Sequence, residues 1–411
     1  MIRRALTNTG WLMSARGINA VLSLVYLALA TRALGLEAFG QFVIAFTFAQ
    51  LVVSFAGFQT WQVIVQWGQD TDDRKSATGF ALALDTVSIV LGAGAAALIL
   101  GFAGNWLPIP PELRAMTLAF TIVSLLAIRS TPTGLLRLHD KYARAAAADA
   151  TTSIIRAAGA AVVAFTVPSI EAFLIVWGAA ELATAAMYWR LAARTEPIHW
   201  RRFSLSRLPR EQAKAWRFVF GTSLSASVSA ASRKLLVLLV GALGGAAMAG
   251  IYRVAAQLGE GLLKLAQALL RATYPELVRD PEQAKALAHQ IMRIAIITGL
   301  VVVIVALLAG NWVILAIAGS AFLAAYWPMA ILSGAAALEL AGASLEALLV
   351  ARGKAMLTLA LRGIPTILAL AALPWLIDWL GAAGAALAVF LISVVSVAGF
   401  ALASREVRPQ N

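Results

Sequence analysis

The chain has 411 residues, of which 61% are hydrophobic and only 13% are charged. A soluble globular protein is about half apolar and about a quarter charged, so this composition excludes that class. The apolar runs are far longer than membrane β-strands, which predicts an all-α integral membrane protein. The chain has no cysteine and its three histidines fall far apart in predicted connections, so we expect no metal site and no disulfide.

The hydropathy pattern predicts about twelve transmembrane helices, six in each half of the chain. The spans of the first half are residues 11–33, 41–67, 77–103, 114–136, 143–167 and 172–191. Those of the second half are 216–243, 248–274, 290–318, 327–350, 356–373 and 380–403. A basic cytoplasmic linker, residues 193–213, then separates an N-terminal six-helix lobe (1–192) from a C-terminal six-helix lobe (214–411).

The basic residues lie almost entirely in alternate connections. The other connections, 35–40, 104–113, 168–171, 241–247, 319–326 and 374–379, contain no Lys or Arg. Basic connections face the cytoplasm, so both termini are predicted to be cytoplasmic and the number of spans to be even. The net charge of +13 therefore reflects membrane orientation and does not indicate nucleic-acid binding.

A short internal repeat supports two similar halves. Residues 35–42 and 245–252 each place two glycines five residues apart and an aromatic residue two positions later. Lobes with an even number of spans have the same orientation, which predicts a pseudo-two-fold axis along the membrane normal and a site between the lobes.

The eighth predicted span carries a polar stripe along one helix face. Its members are spaced three or four residues apart: Arg253, Gln257, Glu260, Lys264, Gln267 and Arg271. The stripe rises about 27 Å, close to the thickness of about 30 Å of bilayer hydrocarbon. It cannot face lipid, so it is expected to line a hydrated cavity.

Other spans add polar residues, and arginine predominates among the charged ones. The candidate substrate-binding residues are Arg16, Asn19, Gln59, Gln62, Arg129, Arg156, Arg233, Lys234, Arg253, Gln257 and Lys264. Arginine offers planar paired donors that match phosphate oxygens, whereas a cationic substrate would need carboxylates and aromatic walls. The pattern predicts an anionic, phosphate-bearing substrate. For any single arginine, a structural ion pair is an equally good interpretation.

Several carboxylates also fall inside predicted spans. We expect four of them to serve coupling to protons or sodium: Asp85, Glu181, Glu260 and Glu339. No other cofactor is expected, because the chain lacks the G-x-x-x-x-G-K-[ST] motif of nucleotide-driven pumps. It also lacks a large soluble domain for sugar chemistry, so we predict that it is not an enzyme.

Five segments carry a resemblance to a known family: Asn8-Thr9-Gly10-Trp11, Ala33-Leu34-Gly35 through Gly40, Leu135-Leu136-Arg137 with Asp140-Lys141-Tyr142, Gly250-Ile251-Tyr252-Arg253-Val254-Ala255 and Tyr274-Pro275-Glu276-Leu277. With these segments the chain resembles the oligosaccharide flippases of the polysaccharide biosynthesis family. That family belongs to the multidrug/oligosaccharidyl-lipid/polysaccharide exporter superfamily.

The resemblance implies a V-shaped bundle with a central cavity, working by alternating access. It implies a flippase that moves a polyprenyl-diphosphate-linked oligosaccharide across the inner membrane for cell-surface polysaccharide such as lipopolysaccharide. Membrane lipids and other polysaccharide-assembly proteins would be its partners. The alternatives are a multidrug-type, cation-coupled exporter of the same superfamily, a membrane glycosyltransferase or ligase, and a scaffold that transports nothing.

Overall fold

The computed structural model describes the backbone of residues 2–104, 107–198, 200–279, 281–352 and 354–405. Side chains are described over these ranges except at 2–18, 20, 200, 225, 228, 229, 232, 260–279, 281–291, 294, 351, 355 and 405. No strand occurs in these ranges, which agrees with the predicted all-α class.

The helices follow one another with short connections. In chain order they are α1 (Ile2–Ala56), α2 (Thr60–Trp67), α3 (Thr71–Phe102), α4 (Pro111–Leu126), α5 (Ser130–Leu138), α6 (Tyr142–Thr166), α7 (Ile170–Thr195), α8 (Arg207–Glu211), α9 (Ala215–Arg279), α10 (Pro281–Ile317), α11 (Tyr326–Ala351), α12 (Ala355–Leu380) and α13 (Ala382–Arg405). Short 3₁₀ helices occupy Trp200–Arg202 and Ser320–Ala325.

Ten helical segments of the described chain are long and apolar enough to cross a membrane. Two of them, Val21–Trp67 and Arg233–Gly259, contain a glycine with positive φ, at Gly35 and Gly245. Each of these two covers parts of two predicted spans, and the remaining eight each match one. The ten segments therefore account for the twelve predicted spans, and the protein is a multi-pass membrane protein.

Gly35 turns the chain back inside α1. Its φ of 74° and ψ of −176° suit glycine and little else. The rings of Tyr26 and Phe42, on either side of it, each lie 5.3 Å from the ring of Trp177 between centroids. A straight helix would hold residues 26 and 42 about 24 Å apart, so the two arms of α1 must fold against each other.

The chain packs into two compact units, Met1–Ala242 and Leu243–Asn411. Unit 1 contains α1 to α8 and the first part of α9, and unit 2 contains the rest. These units reflect packing, whereas the predicted lobes reflect the order of spans. The predicted lobe boundary at residues 193–213 and the predicted symmetry therefore stay predictions.

Two spans of unit 1 are broken at similar depth. Residues 57–59 separate α1 from α2, and residues 127–129 separate α4 from α5, although the sequence predicts one continuous span in each case. Gly57 and Arg129 lie ten and nine residues from the span ends at Trp67 and Leu138, which is about 15 Å along a helix. That distance is half the bilayer hydrocarbon thickness of about 30 Å, so both breaks lie near mid-membrane.

The short helices α2 and α5 pack closely against each other. A Cβ added to Gly134 in α5 would lie 2.8 Å from the Cα of Trp61 in α2, so the approach requires glycine. Ile64 and Leu135 are buried together at this contact, with Ala81 of α3 and Ala192 of α7. The two broken ends therefore form one block.

Unit 2 is built around α11. This helix packs against α10 on one side and α13 on the other, and Leu345, Leu349 and Phe400 form a buried cluster there. The Tyr326 hydroxyl donates to the Leu307 carbonyl oxygen at 2.8 Å, which links the start of α11 to α10.

The basic connection between the two predicted lobes packs onto α3. Leu208 of α8 and Val219 of α9 join Ala77 and Phe80 of α3 in one buried cluster. A Cβ added to Gly79 would lie 2.0 Å from the Arg202 carbonyl oxygen, so backbone contacts backbone at this position.

We predict that Gly79→Ala destabilises the protein by about 1–3 kcal/mol, because the new methyl group displaces the connection from α3. Gly94→Ala is the matched control, since a Cβ at Gly94 in the same helix meets nothing within 4 Å. It should be neutral or stabilise the helix by up to about 1 kcal/mol. Thermal unfolding in detergent measures both, and equal melting temperatures for the two variants would contradict the packing.

Candidate substrate pocket

A pocket of about 350 Å³ lies in unit 1 at the two helix breaks. Both breaks contribute to its wall, together with the end of α1, the middle of α7 and the first part of α9. The lining residues are Gln50, Val53, Ser54, Gly57, Phe58, Gln59, Trp61, Ser124, Ala127, Ile128, Arg129, Ser130, Thr133, Glu181, Ala226 and Ala230. The volume is within the range of about 300–1,000 Å³ typical of small-molecule sites.

Much of the wall is polar but uncharged. The Trp61 indole nitrogen donates to Gln59 Oε1 at 2.9 Å, and the Trp61 backbone N–H donates to Ser130 Oγ at 3.1 Å. The Ser124 hydroxyl is buried and has no hydrogen-bond partner among the described residues. Leaving a buried polar atom unpaired is unfavourable, and Ser124 is one of the residues that line the pocket.

Glu181 binds two arginines at the pocket wall. Its carboxylate accepts from Arg129 Nη1 at 2.8 Å and from Arg156 Nη2 at 2.7 Å. The guanidinium of Arg156 also lies 5.4 Å from the ring centroids of Phe46 and Trp177. The side chain of Arg156 is 11% exposed and that of Arg129 is 30% exposed, so Arg129 is the more accessible of the two cations.

Lys234 reaches the end of α1. Its Nζ donates to the Gln50 carbonyl oxygen at 3.0 Å and to Ser54 Oγ, and both acceptors belong to pocket-lining residues. These acceptors lie within the last two turns of α1, which ends at Ala56, and the helix dipole favours a cation near that end. No described carboxylate pairs with Lys234 within 4.0 Å, so its full charge is not neutralised by those side chains.

The site therefore has an excess of positive charge. Three described side chains that line the pocket or hydrogen-bond to its lining residues are cationic (Arg129, Arg156 and Lys234), and one is a carboxylate (Glu181). A second carboxylate, Asp149, lies close enough to Arg129 to offset part of its charge. Each unpaired charge near mid-membrane is unfavourable by about 3 kcal/mol on insertion scales. An anionic ligand would supply the missing counter-charge.

Asp85 of α3 lies behind the pocket at the starts of α2 and α5. Its Oδ1 accepts from the Thr60 hydroxyl at 2.8 Å, and its Oδ2 accepts from the Thr131 hydroxyl at 2.6 Å and the Thr131 backbone N–H at 3.2 Å. The residue is 6% exposed, and no described cation pairs with it within 4.0 Å. The partial positive charge of two helix N-termini offsets its charge instead.

Comparison with known proteins places this architecture in a family. Residues 5–280 match the model of the family described as polysaccharide biosynthesis protein, which covers more than half of the chain. The chain belongs to this family. The resemblance drawn from its sequence segments is thereby confirmed.

One relative and two solved structures are similar to this chain over most of its length. The inner membrane protein YghQ of Escherichia coli (strain K12) is 28% identical over 337 residues, covering 79% of this chain and 95% of the relative. An inward-facing multidrug resistance MATE transporter of the MOP superfamily has a TM-score of 0.72 at 19% identity, covering 93% and 94% of the two chains. The lipid II flippase MurJ, inward closed, has a TM-score of 0.78 at 11% identity, covering 96% and 87%.

The fold is therefore that of these two solved transporter structures. This agrees with the prediction that the chain is a membrane transporter rather than an enzyme. A membrane glycosyltransferase or ligase, which the sequence left open, finds no support in the family or the fold.

Only some of the predicted site residues lie together at the pocket. Gln59, Arg129 and Glu181 line the pocket, and Arg156 and Lys234 contact its lining residues. Asn19, Gln62, Arg233 and Asp85 belong to unit 1 but are not among the pocket-lining residues. The side chains of Arg16, Glu260 and Lys264 lie outside the described residues.

Three of the predicted site residues with described side chains belong to unit 2. Arg253 donates to Gln257 Oε1 at 2.9 Å, one turn along α9. Glu339 of α11 accepts from the Ser393 hydroxyl of α13 at 3.2 Å.

Sequence reasoning missed the neutral wall of the pocket. Gln50, Ser54, Trp61, Ser124, Ser130 and Thr133 line it and were not predicted. One signal was present in the sequence: Ser130-Thr131-Pro132 is typical of a helix start, because Ser and Thr cap a first turn and proline fits within it. The break before α5, and with it Ser130 and Thr133, could have been found from that tripeptide.

We predict that Glu181→Gln destabilises the protein by about 3 kcal/mol, because Arg156 and Arg129 both lose their charged partner. Glu171→Gln in the exposed first turn of the same helix is the control and should change stability by less than about 0.5 kcal/mol. Thermal unfolding in detergent compares the two. Equal melting temperatures for the two variants would mean that the ion pairs of Glu181 do not contribute measurably to stability.

Proposed function

We propose that the protein is a flippase that moves a polyprenyl-diphosphate-linked oligosaccharide across the membrane by alternating access, for cell-surface polysaccharide biosynthesis. Membership of the polysaccharide biosynthesis family supports this assignment. The relative YghQ is an inner membrane protein by name, which supports the same location here, and the basic connections support cytoplasmic termini.

The observation that carries the proposal is the positive charge of the mid-membrane pocket. A diphosphate is a compact anion with several oxygen acceptors, and guanidinium and ammonium groups are its usual partners in proteins. Arg129 lines the pocket at the break before α5, and Lys234 of α9 contacts the pocket-lining residue Ser54. The two cations are therefore distant in the sequence but belong to the same site. A neutral or cationic substrate would leave this excess charge without a partner.

The neutral wall suits the sugar part of the substrate. Sugar hydroxyls both donate and accept, as do the amides of Gln50 and Gln59 and the hydroxyls of Ser54, Ser124, Ser130 and Thr133. The polyprenyl chain is apolar and can remain in lipid while the head group crosses. Arg16, Arg253 and Lys264 stay proposed contacts on the basis of their positions in the sequence.

The first test is a lipid extract, by mass spectrometry, from cells in which a variant replaces the natural protein. Arg129→Gln and Lys234→Gln should each make intact polyprenyl-diphosphate oligosaccharide accumulate at least about tenfold, because each removes a charge worth more than about 1.4 kcal/mol to an anion. Arg217→Gln is the control, since Arg217 is exposed on α9 and does not line the pocket.

An unchanged lipid-linked pool in the Arg129→Gln and Lys234→Gln cells would overturn the assignment. Efflux of cationic dyes by the wild-type protein would then support the multidrug-type exporter of the same superfamily, whose fold the chain shares.

Coupling to a proton or sodium gradient is part of the proposal, and Glu339 is the carboxylate we assign to it. Its described partner is the neutral Ser393 hydroxyl, whereas Glu181 and Asp85 are held by several donors each. We predict that Glu339→Gln retains substrate binding but loses stimulation of transport by an imposed gradient in proteoliposomes. Ser396→Ala in α13 is the control, because its hydroxyl donates to the Leu361 carbonyl oxygen. A gradient response equal to wild type in Glu339→Gln would exclude the role.

A further inference from the structure

The buried carboxylate of Asp85 joins two helices that do not follow each other in the sequence. Thr60 is the first residue of α2 and Thr131 is the second residue of α5, and both hydroxyls donate to Asp85. Ser130 Oγ accepts from the Trp61 backbone N–H, which adds a direct link between the same two helix starts. Four hydrogen bonds thus tie α2, α3 and α5 together at the breaks.

We propose that Asp85 is a positioning residue for the substrate pocket: it holds the starts of α2 and α5 in the arrangement that presents Gln59, Arg129 and Ser130 to the substrate. The proposal rests on the proposed function for the identity of the substrate. It differs from the sequence interpretation of Asp85 as a coupling carboxylate, because Asp85 here acts through the helices that it joins.

The chemistry of the contact requires a carboxylate. Three donors converge on the two oxygens, and one of them is a backbone N–H that cannot reverse its role. An asparagine that keeps its oxygen on Thr131 would point its NH₂ group at the Thr60 hydroxyl, which would then have to accept instead of donate, and it would lack the negative charge. A helix start also favours an anion, because its free N–H groups carry partial positive charge.

Because α2 and α5 pack as one block, the hydrogen bonds of Asp85 influence the position of the pocket-lining residues. The two helices pack closely at Gly134, where an added Cβ would lie 2.8 Å from the Cα of Trp61, so a shift of one helix would disturb its packing against the other. Gln59 directly precedes α2 and Arg129 directly precedes α5, so the position of the block sets the position of both side chains. Arg129 can meet Glu181 of α7 only while α5 keeps its place.

A coupling carboxylate must exchange its ion with water, and the surroundings of Asp85 do not allow this readily. It is 6% exposed, and both oxygens already accept hydrogen bonds. Its hydrogen-bond partners on α2 and α5 are both threonines, and no described Lys, Arg or His pairs with it within 4.0 Å. These features fit a structural role for the carboxylate.

The test separates binding from coupling with purified protein in detergent and in proteoliposomes. The probe is farnesyl diphosphate, with inorganic diphosphate as competitor. Asp85→Asn and Thr131→Val should each weaken binding of the probe about tenfold, equivalent to about 1.4 kcal/mol, while the transport that remains keeps the wild-type response to an imposed gradient. Thr131→Ser retains the hydroxyl and should restore binding.

Ser88→Ala is the matched control, because Ser88 is buried on α3 and bonds only within its own helix, to the Leu84 carbonyl oxygen. Hydrogen exchange of residues 60–67 and 130–138 gives a readout that does not depend on the substrate. It should accelerate in Asp85→Asn and Thr131→Val and remain unchanged in Ser88→Ala and Thr131→Ser.

Two outcomes would overturn the inference. Wild-type binding by Asp85→Asn together with loss of the gradient response would make Asp85 a coupling residue. Unchanged hydrogen exchange in both Asp85→Asn and Thr131→Val would mean that the carboxylate does not hold the two helices. If wild-type protein fails to bind the probe, the proposed function fails, and the exchange experiment still decides the positioning role.

Discussion

The constraint on which unit 1 depends is the need to satisfy backbone polar groups where a helix is interrupted inside a membrane. Lipid offers no hydrogen bonds, and each unpaired group is unfavourable by several kcal/mol. At the two breaks, side chains from elsewhere in the chain supply the partners. Ser223 accepts from the Gln59 N–H, Ser130 from the Trp61 N–H and Asp85 from the Thr131 N–H. Irregular backbone at this depth is found where it lines a cavity, and the pocket lies at these breaks.

The fold was largely predictable because its strongest determinants are local. Apolar length defines the spans, and Gly35 and Gly245 mark the turns that divide two long helical segments. The break before α5 was missed because the apolar character of the span continues on both sides of residues 127–129. The helix-start signal at Ser130-Thr131-Pro132 is only three residues long. The break before α2 has a weaker signal still, since Gly57 and Thr60 are common inside membrane helices.

The site was only partly predictable, because its contacts join residues distant in sequence. Residue type alone marked Arg129 and Glu181 as candidates, but their pairing crosses 52 positions. Lys234 was found for its charge, whereas its acceptors are a main-chain carbonyl and a serine on α1, 184 and 180 positions away. No pattern in the sequence distinguishes a serine that faces a pocket from one that bonds back to its own helix, as Ser88 does.

The sequence left open, for every arginine, the choice between a structural ion pair and a ligand contact. Under the proposed function, Arg156 and Arg129 differ in this respect. Arg156 is enclosed by Phe46, Trp177 and Glu181, so its charge supports the scaffold. Arg129 shares the same carboxylate but is more exposed and lines the pocket. A guanidinium has five N–H donors, and the described pair with Glu181 uses one of them. Because Glu181 keeps Arg156 when Arg129 turns toward an anion, substrate binding need not leave a buried carboxylate unpaired. The shared carboxylate thus allows one arginine to be structural and the other to serve the substrate.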